Sequence, residues 1–308
     1  MESMDRRRTG PRLLAGSKSR QGTRRHLSRP SKHLAERWTT VGDVEIFYRE
    51  SPNPPDAPVM MHVHGFGLSG RYLLPTAEAL AEDFHTLVPD LPGFGRSGNA
   101  MDPLDVPDLA RAAKAFLDDR NVGSATLVGN SLGCAVICEF AYQYPAQLDR
   151  AILVSPAGGM NNQPLRRAIR QLAHDGVREP TRLMRVAAPD YLRFGVPSTF
   201  RLFRALTQFP ALERLLTLPV PTLVVLGDRD PLLPSPERVK EVASQYQNSM
   251  VLVVIEGAAH AINFSHPGEL ANVIRQFMAD RTIKDDPNAP GRARAYEIHR
   301  GVYRKLPD

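Results

Sequence analysis

Ala125-Thr126-Leu127-Val128-Gly129-Asn130-Ser131-Leu132-Gly133-Cys134 decides how this chain is read. Ala125 to Val128 is a short apolar run of the kind that forms a buried parallel strand. Leu132 to Tyr142 then repeats apolar residues at helical spacing. Between them lies Gly-x-Ser-x-Gly, and the context gives the pattern meaning. A sharp strand-to-helix turn needs small residues on both sides of its apex, and it lifts the serine hydroxyl clear of the backbone. The helix that starts there also directs its amide dipoles at any negative charge developing beside the serine. Ser131 is thus the candidate nucleophile.

Working outward, strands alternate with helices. Val44–Tyr48 alternates apolar and polar residues like a half-exposed strand near a sheet edge. Val59–Val63, Thr86–Val88, Ala151–Val154, Thr222–Leu226 and Met250–Ile255 are further short apolar runs bounded by turn residues. Helical patterns occupy Leu73–Ala81, Asp108–Asp119, Leu132–Tyr142, Glu237–Tyr246 and Glu269–Met278. Such alternation predicts a mostly parallel, doubly wound α/β sheet. From about Met160 to Leu218 strand signals stop and only helical fragments remain, among them Leu165–Ile169–Leu172 and Phe200–Phe203–Leu206. That stretch reads as a helical cap inserted between two strands. The expected organisation is a basic, disordered segment over residues 1–37, a core over 38–159 and 219–280, the cap over 160–218, and a tail over 281–308.

Three further loops follow strands. His64-Gly65-Phe66-Gly67 follows Val59–Val63, and its glycines allow a backbone N–H, that of Phe66, to approach the same point as the N–H of Leu132. Two such donors make an oxyanion hole. Gly227-Asp228-Arg229-Asp230-Pro231 follows Thr222–Leu226, and Gly257-Ala258-Ala259-His260 follows Met250–Ile255. In open α/β sheets reactive groups gather at the carboxyl ends of strands, so Ser131, Asp230 and His260 converge in the order Ser…Asp…His. A serine hydroxyl needs a base. His260 supplies one, and an acid orients its imidazole. Asp230 is preferred for that role, with Asp228 as rival and more naturally a loop cap. His64 reads as a loop anchor, Asp90 as part of a structural turn, and His266 as the start of the last helix.

These residues, with Asp90-Leu91-Pro92-Gly93-Phe94-Gly95-Arg96-Ser97, resemble the motifs of the α/β-hydrolase superfamily in that family's order, from about Trp38 to Asp280. The resemblance implies the α/β-hydrolase fold with an inserted helical cap. It also implies two-step acyl transfer at an ester, thioester, amide or lactone carbonyl, with a small carboxylic ester or lactone as the expected substrate. Two other readings stay open. One is a hydrolase of carbon–carbon bonds in vinylogous diketones, whose Gly-Asn-Ser elbow is similar although Ala261 stands where a bulky aromatic is expected. The other is a ligand-binding protein that kept the fold and turns over little.

Composition bounds the partners. The formal charge of +6 sits in the termini. Residues 1–37 hold 11 basic against 3 acidic residues and 281–308 hold 7 against 4, leaving 21 against 26 between them. An acidic body lacks the basic face that phosphate backbones require, so nucleic acid is not an expected partner. No run approaches the roughly 18 apolar residues of a membrane span, and no secretory signal is readable. Cys134 and Cys138 lie four apart on one helix, where a bridge would constrain little, so both read as buried core residues of a reducing, cytoplasmic protein. No cofactor or metal is expected, because His62-x-His64 lacks a third ligand nearby. The ten arginines of the cap, from Arg166 to Arg214, read mainly as the solvated face of amphipathic helices. The oligomeric state is left open.

Overall fold

A computed structural model describes residues 34–52, 56–99, 104–156, 181–230, 250–284, 292–299 and 302–306. Its strands are β1 (Ala35–Val41), β2 (Val44–Glu50), β3 (Val59–Val63), β4 (His85–Pro89), β5 (Ala125–Asn130), β6 (Leu148–Val154), β7 (Thr222–Gly227), β8 (Met250–Ile255), β9 (Ala293–His299) and β10 (Val302–Lys305). They form one sheet in the order β1-β2-β4-β3-β5-β6-β7-β8-β9-β10. From β4 to β8 every neighbouring pair is parallel, and antiparallel pairs flank that centre on both sides. The chain runs from β3 outward to β4, then returns to place β5 on the other side of β3. That reversal opens a crevice at the carboxyl ends of β3 and β5, where ligands of doubly wound sheets bind.

Helices α1 (Leu74–Leu80), α2 (Val106–Asp119), α3 (Leu132–Gln143), α4 (Thr181–Phe194), α5 (Val196–Gln208), α6 (Ala211–Leu216), α7 (Ile262–Ser265) and α8 (Pro267–Met278), with the 3-10 turns Gly70–Leu73 and Pro145–Gln147, complete the described elements. The strand side chains alternate between two apolar clusters. Met61, Val63 and Leu127 belong to the cluster that includes α2 and α3, whereas Met60 and Val128 belong to the one that includes α8. Helix α2 starts at a capping box in which Asp105 accepts from the Asp108 N–H at 2.9 Å and Asp108 accepts from the Asp105 N–H at 3.0 Å, so two orphan donors are satisfied reciprocally.

Three sequence expectations need correction. Residues 281–308 do not read as a simple tail, because β9 pairs with β8 from Ala293↔Ile255 to Ile298↔Met250. Its inward residues Ala293 and Ala295 are buried while Arg294 is exposed. This is a period of two written in small residues between charges, which carries little hydropathy. The basic segment ends earlier than residue 37, since Leu34 is buried and Ala35–Val41 pairs with β2. Finally, β2 is not half-exposed. Ile46, Phe47 and Tyr48 are all buried, because β1 supplies the next strand and Trp38 packs edge-on against Phe47 at 5.1 Å. The Leu165–Ile169–Leu172 fragment, Arg166, Arg167, Arg170, Arg178 and the helix expected over Glu237–Tyr246 lie outside the described residues. Between β6 and β7 the described residues form α4, α5 and α6 and no strand.

His62, in the middle of β3, is fully buried and neither ring nitrogen has a hydrogen-bond partner among the described residues. Burial pushes its pKa down from 6.5 to about 3. Below pH 6.5 the unfolded chain takes up a proton at this ring that the folded chain refuses until about pH 3, so stability falls as pH drops through that window. At pH 5 the linkage amounts to about 2 kcal/mol. Thermal melts of the wild type and of His62→Leu, taken between pH 7 and 4.5, should show the variant losing less stability on acidification. Parallel acid limbs would remove His62 from the account.

Candidate active site

The turn between β5 and α3 is strained and sterically closed. Ser131 has φ 56° and ψ −114°, a conformation that costs a non-glycine residue of order 1–3 kcal/mol. The surroundings hold it there. The Ser131 N–H donates to Val154 O at 3.1 Å, and the Cys134 N–H donates to Ser131 O at 3.0 Å. The flanking glycines are obligatory for contact reasons. A methyl on Gly129 would come within 2.6 Å of the Gly133 carbonyl, and one on Gly133 within 2.2 Å of Val63 O. Helix α3 therefore starts with its backbone pressed against the end of β3, and Ser131 stands at the switch crevice.

The loop after β3 lies over this turn. A methyl on Gly65 would sit 3.5 Å from Ser131 Cβ. The Gly65 N–H donates to the Tyr72 hydroxyl at 2.8 Å. The N–H groups of Phe66 and Leu132 take no partner among the hydrogen bonds of the described residues. His64 anchors the loop as expected. Its Nε2 accepts from the Leu91 N–H at 3.0 Å, which leaves Nδ1–H to donate to Gly65 O at 3.1 Å. Both ring nitrogens are thereby engaged, and burial pushes the His64 pKa down. Asp90 is structural as well: one carboxylate oxygen accepts from Gly70 N–H and Arg49, the other from Arg96 N–H.

Across the crevice, Asp230 follows β7 and His260 follows β8. Asp230 Oδ2 and His260 Nδ1 are 2.8 Å apart, with both residues buried. Asp228 is turned elsewhere and accepts from the Gly257 N–H at 2.7 Å, so the two rival acids are separated by geometry. The loops of Ser131 and His260 are joined directly, since Asn130 Nδ2 donates to His260 O and to Val154 O, each at 3.1 Å. His266 caps α8. Cys134 and Cys138 are free and buried, and burial raises both thiols, Cys138 to about 12, which makes them inert as nucleophiles.

Sequence reasoning missed what grips the β3 loop from above. Asp190 of α4 is buried and accepts from both the N–H (3.0 Å) and the hydroxyl (2.6 Å) of Ser69. Tyr191 packs against Gly67, where a methyl would meet its ring at 2.5 Å. Phe194 stacks on Phe94 at 4.7 Å and meets Phe66 edge-on, as does Phe203 of α5. A lone Asp in an arginine-rich helix carries no signal for such a contact. The arginines of α4 and α5 (Arg182, Arg185, Arg193, Arg201 and Arg204) are exposed. Arg214 pairs instead with Glu139 at 2.7 Å.

A model of the alpha/beta hydrolase family matches residues 60–273, which span every element of this site. The chain belongs to that family. Among this hydrolase's relatives, the poly(3-hydroxyalkanoate) depolymerase of Ectopseudomonas oleovorans is 25% identical over 248 residues, covering 74% of this chain and 86% of that protein. A putative carbamate hydrolase, RutD, of Rhizobium rhizogenes is 30% identical over 259 residues, covering 74% of this chain and 95% of that protein. The crystal structure of a membrane phospholipase A superposes with a TM-score of 0.69 at 24% identity, covering 80% of this chain and 86% of that one, and shares the fold. No helix among the described residues is long and apolar enough to cross a membrane.

Proposed function

We propose that this hydrolase cleaves a small carboxylic ester or lactone through an acyl-enzyme on Ser131. The observation that carries the reading is the strained Ser131 at the switch crevice, with His260, hydrogen-bonded to Asp230, on the loop that Asn130 ties to it. In the first step Ser131 Oγ attacks the carbonyl carbon and its proton passes to His260 Nε2, because Nδ1 faces Asp230. The carbonyl π pair moves to oxygen, where the N–H groups of Phe66 and Leu132 stabilise the charge. The pair returns, the carbon–oxygen bond to the leaving alcohol breaks, and the Nε2 proton goes to the alkoxide. Water then repeats the sequence against the acyl group, with His260 again taking and returning one proton. The helices α4 and α5 form a lid whose Phe194 and Phe203 place aromatic surface beside Phe66, which favours an apolar acyl or alcohol group.

The test is turnover of short- and medium-chain p-nitrophenyl esters, together with labelling by a fluorophosphonate located by mass spectrometry. Hydrolysis with one adduct, on Ser131, is expected. An adduct elsewhere, or a protein inert to both reagents, would sink the reading. Turnover of a vinylogous diketone in preference to esters would keep Ser131 and move the reaction to carbon–carbon cleavage. Asp230→Asn should retain the fold and lower kcat by about 10⁴-fold, because an amide donating through its NH₂ holds the wrong imidazole tautomer. A loss below about tenfold would remove Asp230 from the role, with Asp228→Asn as the comparison.

A further inference from the structure

Tyr72, in the 3-10 turn Gly70–Leu73, points its hydroxyl into the space between the β3 loop and the serine turn. It is buried, as is Asn130. The directions of the bonds here follow from chemistry alone. The Gly65 N–H can only donate, so the phenol oxygen accepts from it at 2.8 Å. The phenol has one proton, and it goes to Asn130 Oδ1 at 2.7 Å. That sets the Asn130 amide with Nδ2 facing Val154 O and His260 O, which can only accept. Every group is used in a single sense, so the network has one self-consistent arrangement.

Two consequences follow. Because the Gly65 N–H is committed to Tyr72, it is not available to an oxyanion, in keeping with the role proposed for the Phe66 N–H. One hydroxyl also links, through Asn130, the backbone of the β3 loop, the residue before the serine, and the carbonyl of His260.

We propose that Tyr72 is a positioning residue, setting the oxyanion loop and the histidine loop relative to Ser131 through Asn130; its effect on turnover rests on the serine-hydrolase reading above. The proposed reaction gives Tyr72 no proton or bond to move. Its contribution is registration, and a misplacement approaching 1 Å at such a site lowers rates by about 10²-fold.

The experiment compares wild type, Tyr72→Phe and Asn130→Ala by amide hydrogen exchange and by p-nitrophenyl butyrate kinetics, with circular dichroism and thermal melts to confirm folding. Tyr72→Phe removes both arms of the network. Segments 64–68 and 258–262 should both exchange faster, and kcat should fall about 10- to 100-fold while KM stays within about threefold. Asn130→Ala removes only the far arm. It should speed exchange in 258–262 and leave 64–68 as in the wild type, which also serves if Tyr72→Phe folds poorly. A residue with a merely stabilising role would lower the melting temperature with kcat unchanged, and that result would overturn the proposal. So would a 258–262 segment indifferent to both substitutions. Failure of the hydrolase reading shows differently, as a wild type inert to ester and fluorophosphonate, and the exchange pattern still decides whether Tyr72 links the two loops.

Discussion

Ser131→Ala should abolish fluorophosphonate labelling and lower kcat on p-nitrophenyl esters by about 10⁴- to 10⁶-fold, with KM changed little. The size of the effect follows from how the residues act together. In the proposed mechanism, removing the hydroxyl leaves His260 no proton to take and Asp230 no imidazolium to stabilise, so the expected residual rate is that of substrate binding and the two proposed N–H donors over water. Stability should hold or rise. The substitution removes only the hydroxyl and leaves the backbone hydrogen bonds that hold the turn, Ser131 N–H to Val154 O and Cys134 N–H to Ser131 O, in place. A variant that kept more than about 1% of wild-type turnover, at unchanged circular dichroism, would place the nucleophile elsewhere. Ser155 is the other residue to examine, being a serine at a strand end with a positive φ of 46° and no hydroxyl partner among the described residues.

Gly133→Ala should be among the most destabilising single-methyl additions in the chain. The added carbon would lie 2.2 Å from Val63 O, 2.9 Å from Val63 C and 3.1 Å from His64 O. All three are backbone atoms of β3 or its loop, and β3 is hydrogen-bonded between β4 and β5. Relief therefore requires α3 to lift from the sheet, which disturbs the turn that carries Ser131. Overpacking against rigid backbone costs about 3 kcal/mol, the upper end of the usual range, which lowers the melting temperature by roughly 6–12 °C in a domain of this size. Gly123→Ala is the control, since nothing lies within 4 Å of its added methyl. Thermal melts of the two variants side by side decide the matter. Equal midpoints would mean the helix does not press on β3 as described.

The strands β3, β5, β7 and β8 were legible from short apolar runs, and β8 matches its run residue for residue. The reason is that a strand buried on both faces has little choice of composition. The same logic failed at β9, where alanines alternate with charges and the inward face carries little apolar area. The Ser131 turn was legible for a related reason, because a turn this tight excludes all but small flanking residues. The Asp230–His260 contact was announced only by the position of each residue just after a strand.

Partnerships across long sequence separations were not legible. Asp190 meets Ser69 across 121 residues, Tyr72 meets Asn130 across 58, and Asn130 meets the His260 carbonyl across 130. Each is a single hydrogen bond or bond pair between common residue types, and no local spacing encodes it. Asp228 and Asp230 were separable by motif alone only as a preference. The structure distinguishes them because the Gly257 amide draws Asp228 aside while the imidazole of His260 meets Asp230.

Local pattern thus determined the order of strands and helices and the residue types at the strand ends, since steric and hydropathic demands act on neighbours in the chain. Tertiary structure alone decided which acid faces the histidine and which side chains tie the loops after β3, β5 and β8 to one another. Those contacts depend on where the sheet brings distant segments together.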